Sequence, residues 1–204
     1  MKLYSSKLSS NAKRVRVCIE ELGARVQLQE IDFAKGENRS PEYLALNPMG
    51  KVPTFVDDDG YTLWESPAIL VYLAGKHPEK KLVPSEARKQ ADVFRWMFWN
   101  ANHFSPAVEG ILLEKVIKPM RKLEPNPAAI EASMRDVARY APVLDAQLQG
   151  NGWILGQDYT LADISVGVSV ELAGVLGCNL AQWPQLQAWV GRLQARDAWK
   201  RAAG

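Results

Sequence analysis

Residues 47 to 66, Asn-Pro-Met-Gly-Lys-Val-Pro-Thr-Phe-Val-Asp-Asp-Asp-Gly-Tyr-Thr-Leu-Trp-Glu-Ser, leave the backbone few ways to fold. Asn47-Pro48-Met49-Gly50 carries turn residues at every informative position. Pro53 has no N–H to give to a ladder, so a strand starts after it, at Thr54-Phe55-Val56. Asp57 to Gly60 is an acidic glycine turn, and Tyr61 to Trp64 is a second short strand, which makes the pair a β-hairpin. Ser66 ahead of Pro67 is a helix start, with Ser66 as its predicted cap.

The flanking sequence extends this into a domain. Met1 to Ser5 reads as a strand. Val15, Cys18, Ile19 and Leu22 follow helical spacing, with Lys13, Arg16, Glu20 and Glu21 off the apolar stripe and Gly23 as the stop. Val26 to Phe33 alternates as a strand does, Ser40-Pro41 opens a short helix through Leu46, and Pro67 to about Gly75 is another helix. A βαβ unit followed by ββα is the thioredoxin-like arrangement of an α/β fold. His77 to Pro84 then breaks the pattern as a linker.

Beyond the linker every periodic segment is helical. Glu86 to about Ile117 is one long helix with Pro106 as the expected kink. Ile130 to Leu148 steps by fours and threes with Pro142 inside it. Thr160-Leu161-Ala162-Asp163 has capping-box spacing ahead of a helix apolar on nearly every side, the expected centre of this half. Trp183-Pro184 opens a last amphipathic helix. The expected division is an α/β thioredoxin-like domain over 1–76, a linker over 77–84 and an all-α helical domain over 85–204.

A chain of 204 residues with 47% hydrophobic and 24% charged residues suits two modest globular domains. Its formal charge of +2 gives no electrostatic footprint for nucleic acid, so no nucleic-acid partner is expected. No apolar run is long enough to span a bilayer and the N-terminus lacks the apolar core of a secretory signal, so a cytoplasmic protein with no membrane contact is expected. Cys18 and Cys178 form no CxxC pair and are expected to be reduced and buried; no metal-ligand cluster is visible.

The stretch from Lys51-Val52-Pro53 through Glu65-Ser66 resembles the glutathione-binding half of the glutathione transferases, and Gly156 to Ile164 resembles the second signature of that family, so the resemblance runs over essentially the whole chain. It implies glutathione as co-substrate and no metal. It also implies a cis Val52–Pro53 bond, although X–Pro bonds are mostly trans. With that bond the backbone of Val52 would pair with the cysteinyl N–H and C=O of the tripeptide, as an added strand does. Glu65 and Ser66, at a helix N-terminus that attracts a carboxylate, match the residues that hold the γ-glutamyl group. Arg39 stands where relatives hold the glycyl carboxylate, a task that suits its fork of donors, although a solvated Arg has the same appearance.

Ser9-Ser10-Asn11 is similar to the Ser-x-Asn of phi-class and related bacterial members, which implies Ser9 as the hydroxyl that stabilises the thiolate, with Asn11 supporting it. Ser10 is the rival, because a shift of the helix start by one residue exchanges the two. The same residue types are also ordinary N-caps, and the readings are compatible because capping sets the hydroxyl at the dipole. Leu8, Phe33, Trp99, His103 and Phe104 are the candidates for an apolar electrophile pocket, the aromatics being core residues by default. Transfer of the glutathione thiolate to small apolar electrophiles, with organic hydroperoxide reduction as a companion activity and a homodimer as the assembly, is what the resemblance implies. The alternatives are a noncatalytic ligand-binding or assembly module of the same fold, a narrow dehalogenase or isomerase, and a thiol oxidoreductase, which would need a cysteine near position 9.

Overall fold

In the computed structural model, which describes residues 1–202, β1 (Lys2–Ser5) runs parallel to β2 (Gln27–Glu30) and antiparallel to β3 (Thr54–Val56), and β3 pairs antiparallel with β4 (Thr62–Trp64). The resulting sheet has the order β2-β1-β3-β4. Helices α1 (Ser10–Leu22), α2 (Pro41–Leu46) and α3 (Ser66–Lys76) complete a thioredoxin-like unit. Its core gathers Leu3, Val15, Cys18, Phe55, Ile69 and Leu73, all fully buried. Helix α1 starts at the cap Ser9 and stops at Gly23, whose φ of 67° is the left-handed closing conformation.

Three expectations for this unit change. The strand predicted across 26–33 shrinks to Gln27–Glu30, exposed at every position because β2 is the edge of the sheet; Ile31, just past it, is the buried anchor. Ser66 does not cap α3: the cap position is Glu65, which makes no side-chain capping bond, and Ser66 is the first helical residue. Arg16, read as lying off the apolar stripe, is buried, with Nη1 donating to Ser5 Oγ (2.8 Å) and the Ser6 carbonyl (3.0 Å) and Nε to the Ala202 carbonyl (3.4 Å). A long guanidinium stem can cover apolar surface while its head finds oxygen partners.

The last of those contacts marks a boundary the periodicity missed. The chain divides into Met1–Val83 with the segment from Arg196 onward, and Pro84–Ala195. A short helix near the C-terminus, Asp197–Ala202, returns to α1 of the first unit, burying Ala198 and Trp199. Arg196 grips Glu21 with two bonds (2.6 and 2.8 Å) and Arg201 reaches Glu20 at 2.6 Å. The second compact unit thus spans Pro84–Ala195.

A turn between α2 and β3 is fixed by side chains. Asn47 Nδ2 donates to the Lys51 carbonyl (2.8 Å) and Thr54 Oγ1 (3.0 Å), while its Oδ1 accepts from the Met49 N–H (3.0 Å). Tyr43 Oη donates to the same Lys51 carbonyl at 2.6 Å. Gly50 has φ 59°, and a Cβ there would stand 2.8 Å from the Asn38 carbonyl and 3.0 Å from an Arg39 guanidinium nitrogen. The Val52–Pro53 bond that follows is cis.

The second unit is helical throughout. A continuous helical run carries α4 (Ala87–Trp99), a π turn over 100–104, α5 (Ser105–Leu112), a second π turn over 113–117 and α6 (Lys118–Met120). Pro106 and Pro119 each sit just after one of those π turns. The wider turn accommodates a residue that lacks an N–H and whose ring crowds the preceding carbonyl. Helix α7 (Pro127–Leu148) continues through Pro142, and α9 (Pro184–Ala195) ends the unit. Helix α8 (Leu161–Val175) is the buried centre, with Ile164, Val166, Val168 and Val170 sealed from solvent.

Asp163 closes the capping box of α8 and does more. Its Oδ1 accepts from the Ile154 N–H (2.9 Å) and Trp189 Nε1 (3.0 Å), and its Oδ2 from the Thr160 N–H (2.9 Å). Burial pushes its carboxyl up to about 6, against the donors that favour the ionised form.

Two stability predictions follow from these contacts. Asp163→Ala strands three buried donors, each loss costing about 1–3 kcal/mol, so urea unfolding should report a loss of about 3 kcal/mol or more. Because the folded carboxyl binds its proton more tightly than the unfolded one, the site's contribution is full below about pH 4 and declines as pH rises through about 6. The gap between Asp163→Ala and the parent should narrow over that interval. Gly50→Ala forces a left-handed conformation costing about 1–2 kcal/mol, plus the clash with Asn38; a melting temperature equal to the parent's would contradict this reading of the turn.

Candidate functional site

The positive ends of α1 and α3 meet in the first unit. Ser9, in extended conformation, caps α1 by accepting from the Ala12 N–H at 3.2 Å. An accepting lone pair leaves the hydroxyl hydrogen available to donate elsewhere. Ser10 is the first residue of the helix, so the register distinguishes the two serines as cap and first turn. Asn11 Oδ1 accepts from Ser66 Oγ at 3.2 Å, tying the first turn of α1 to the first residue of α3 across 55 positions of sequence.

Ser40 caps α2, Asn126 caps α7 and Thr160 caps α8, whereas α3 and α4 both begin with no side-chain cap. The first N–H groups of α3, and the dipole behind them, suit an anion. Glu65 precedes them with φ 72°, a left-handed conformation that costs a non-glycine residue about 1–3 kcal/mol and is retained mainly at functional positions. Its side chain is exposed, while Ser66 is buried.

Next to this corner runs the segment Lys51-Val52-Pro53. The Lys51 carbonyl is occupied by Tyr43 and Asn47, but neither the N–H nor the C=O of Val52 takes a partner among the described residues. A peptide aligned there would find one donor and one acceptor, as at a sheet edge. The Lys51 side chain is exposed. Arg39 closes a 3₁₀ turn (Glu37–Arg39), is exposed, and lies against Gly50. The structure thus gathers Ser9, Asn11, Glu65 and Ser66 around two helix starts, with Val52 on the adjoining turn.

The apolar candidates fare less evenly. Leu8 and Phe33 are among the most exposed large apolar side chains of the first unit, Leu8 at 80%. In the second unit Trp99 stacks on Phe104, and Phe104 is fully buried, a core residue and not a pocket wall. His103 is exposed and packs on Tyr140. Sequence reasoning passed over Tyr43, Asn47 and Thr54, which fix the Lys51 carbonyl; only the Asn-Pro pair at 47–48 signalled a turn there. It also passed over Arg14, a buried cation on α1 beside Asn11.

Cys18 is fully buried, and burial, with Glu21 adding, raises its thiol well above the ordinary range. Burial also raises Cys178, in the second unit. Among the described residues no cluster of His, Cys, Asp and Glu could hold a metal ion, and no helix is long and apolar enough to cross a membrane.

The chain resembles known proteins over its full length. Residues 1–75 match the family model of the glutathione S-transferase N-terminal domain, and residues 108–197 that of the C-terminal domain. The chain is 33% identical over 206 residues to the probable glutathione S-transferase GSTF2 of Oryza sativa subsp. japonica, covering all of this chain and 95% of that one. It is 32% identical to glutathione S-transferase GstB of Escherichia coli strain K12, covering 96% and 94%. Among solved structures, glutathione S-transferase-I bound with lactoylglutathione superposes with a TM-score of 0.90 at 28% identity, covering 99% and 97% of the two chains. Two matched domain models, a full-length likeness above 30% and a shared fold place this chain in the glutathione S-transferase family, among its phi-like members.

Proposed function

We propose that this glutathione transferase ionises glutathione at the N-terminus of α1 and delivers the thiolate to small apolar electrophiles, with Ser9 as the activating hydroxyl. The observation that carries this reading is the Ser66–Asn11 hydrogen bond of 3.2 Å, which joins two positive helix ends at one corner. An ordinary thiol, with pKa about 8.5, is mostly protonated at neutral pH. A hydroxyl donor and a helix dipole both favour the charged form, and a lowering by about two, equivalent to ~3 kcal/mol, is within their reach.

The rest of the tripeptide fits the same corner. The cysteinyl N–H and C=O pair with the Val52 backbone beside Pro53. The γ-glutamyl carboxylate takes the uncapped N–H groups of α3, beginning at Ser66, and its amino group takes the exposed Glu65 carboxylate. Arg39 and Lys51 are the cations for the glycyl carboxylate. In the transfer step the sulfur–carbon bond forms as the bond from carbon to its leaving group breaks, the leaving group departs with the electron pair, and the thiol proton has already passed to solvent. With an organic hydroperoxide the thiolate attacks the terminal peroxide oxygen, the O–O bond breaks, the alkoxide takes a proton and leaves as alcohol, the sulfur becomes a sulfenic acid, and a second glutathione thiol displaces its oxygen as water to give the disulfide.

The exposed side chains of Leu8 and Phe33 start the co-substrate wall. An apolar wall discriminates weakly, about 1–3 kcal/mol per methylene, so broad selectivity over apolar electrophiles, a detoxification role, is the expectation. We assign it to the cytoplasm, as the family resemblance implies. Exposed Met49, Tyr61, Trp64 and Val71 on the first unit, and Phe98 on the second, are surface that a homodimer with a closed two-fold contact would cover.

Ser9→Ala should leave glutathione binding nearly intact, raise the pKa of the bound thiol, and lower turnover of a chloro-nitroaromatic substrate by about 10- to 100-fold. Thiolate absorbance against pH checks this; a raised pKa in Ser10→Ala but not Ser9→Ala would transfer the role to Ser10. Retention on a glutathione resin with no turnover of aryl halides or hydroperoxides would favour a binding module instead. Sedimentation at micromolar concentration should give a dimer, and a monomer there removes that assignment alone.

A further inference from the structure

We infer that Asn47 is a positioning residue for glutathione: with Tyr43 and Thr54 it clamps the Lys51 carbonyl, and the rigid peptide plane shared with that carbonyl aims the Val52 N–H at the cysteinyl carbonyl of the bound tripeptide. The inference rests on the transferase reading above and deepens it, because Asn47 acts through a backbone group and not by touching the ligand.

Asn47 closes α2 and is only 2% exposed. Its backbone N–H donates to the Tyr43 carbonyl and its carbonyl accepts from the Gly50 N–H, both at 2.9 Å. In its side chain Oδ1 accepts from the Met49 N–H, while Nδ2 donates to the Lys51 carbonyl (2.8 Å) and to Thr54 Oγ1 (3.0 Å). A backbone N–H only donates and a carbonyl only accepts, so chemistry decides which end of the amide faces which partner. Tyr43 Oη places its single hydrogen on the Lys51 carbonyl at 2.6 Å. In its 2.9 Å contact with Thr54 the threonine hydroxyl is therefore the donor, the Lys51 carbonyl being farther from it at 3.5 Å. Both lone pairs of the Lys51 carbonyl are thus occupied from one side, by Tyr43 and Asn47.

The consequence reaches the other side of the peptide. The Lys51–Val52 bond is trans, the cis bond being the next one along, so its C=O and N–H lie in one plane and point in opposite directions. A carbonyl turned into a buried network therefore turns the Val52 N–H away from that network, and no described residue accepts it there. The preceding peptide is held in the same manner, since the buried Asn38 donates Nδ2 to the Gly50 carbonyl at 2.8 Å. The Val52 side chain is buried as well, in a cluster with Tyr43, Ala12 and Ile31. Two clamped carbonyls and one anchored side chain leave the Val52 N–H a single direction in advance of binding. A hydrogen bond weakens steeply as it bends, so a donor held in this way favours one placement of the peptide laid against it.

An Asn that only stabilises its turn predicts something different, and the full-length protein can distinguish the two. The probes are S-hexyl-γ-glutamylcysteine amide and S-hexyl-γ-glutamylcysteamine, which differ only in the cysteinyl carboxamide, titrated against the parent and Asn47→Ala. Positioning predicts that the parent binds the amide about five- to tenfold more tightly, the worth of one hydrogen bond. Asn47→Ala should lose most of that preference, binding the amide more weakly and the cysteamine as before. With a chloro-nitroaromatic substrate its KM for glutathione should rise about five- to tenfold while kcat stays within about twofold, the pattern of a lost uniform binding contact. The pKa of the bound thiol at saturating glutathione should not move, because the sulfur is served by Ser9 and not by this turn. A parent that does not distinguish the two probes overturns the inference. So does a folded Asn47→Ala that keeps the parent's preference, weakens both probes equally, or loses kcat with KM unchanged.

Should Asn47→Ala fail to fold, Tyr43→Phe decides. It keeps the ring in its cluster and removes one of the two donors to the Lys51 carbonyl. A loss of about threefold in amide binding with the cysteamine unaffected supports the inference; unchanged binding of both probes, or an equal loss of both, overturns it. A parent protein that neither binds the probes nor turns over glutathione would instead sink the transferase reading, an outcome separate from a working parent whose variants keep its preference.

Discussion

Two helix N-termini held close together repel, since each carries about half a positive charge. In this protein α1 and α3 meet through Ser66 and Asn11, and the repulsion is eased by one amide oxygen that accepts from Ser66. The remaining field is best relieved by an anion, and glutathione brings two carboxylates and an ionisable thiol. A fold that concentrates unneutralised positive dipole ends in this way is less stable without a ligand than a fully capped one would be. On the proposed function, the missing cap of α3 and the positive φ of Glu65 belong to the glutathione site, while Thr160 and Asp163 in the second unit show how the same chain closes a helix end with its own side chains.

The turn before β3 has the complementary role of holding a backbone edge rigid. Tyr43, Asn47 and Thr54 surround the Lys51 carbonyl, and Gly50 permits an approach that any side chain would block. The next residue, Val52, is left with a donor and an acceptor that nothing else in the described chain uses. Ordering a loop on binding costs about 1–2 kcal/mol per residue in backbone freedom alone, so an edge ordered in advance retains that much affinity. On the proposed function, the rigid edge here and the positive helix ends act together on one ligand.

Much of this was legible in the sequence because it is written in local chemistry. Ser9, Ser40-Pro41, Gly23 and the Thr160–Asp163 box mark helix ends with residues whose role spans only three or four positions, and each end falls where those residues put it. The hairpin over 54–64 was equally plain from its turn. What escaped is set by partners far away in the chain. Ser66 looks like a cap until Asn11, 55 positions earlier, claims its hydroxyl. Arg16 looks like a solvent residue until the Ala202 carbonyl, 186 positions later, covers it. The return of Asp197–Ala202 to the first unit has no periodic signature in so short a segment, and the π turns before Pro106 and Pro119 are invisible to a pattern built on 3.6 residues per turn.

Buried arginines on α1 show how one helix can serve stability and chemistry at once. Arg16 donates to the Ser5 hydroxyl, the Ser6 carbonyl and the C-terminal segment, and its loss would loosen the start of the loop that leads to Ser9. Arg14, two residues earlier on the helix, faces Asn11. Residues two apart on a helix point in different directions, so these two cations serve different partners. Neither is placed to accept a proton or attack a bond. Arg16 ties the start of that loop to the C-terminal segment, and a hydroxyl proposed to stabilise a thiolate depends on a well-held loop, because a hydrogen bond weakens steeply once misaligned.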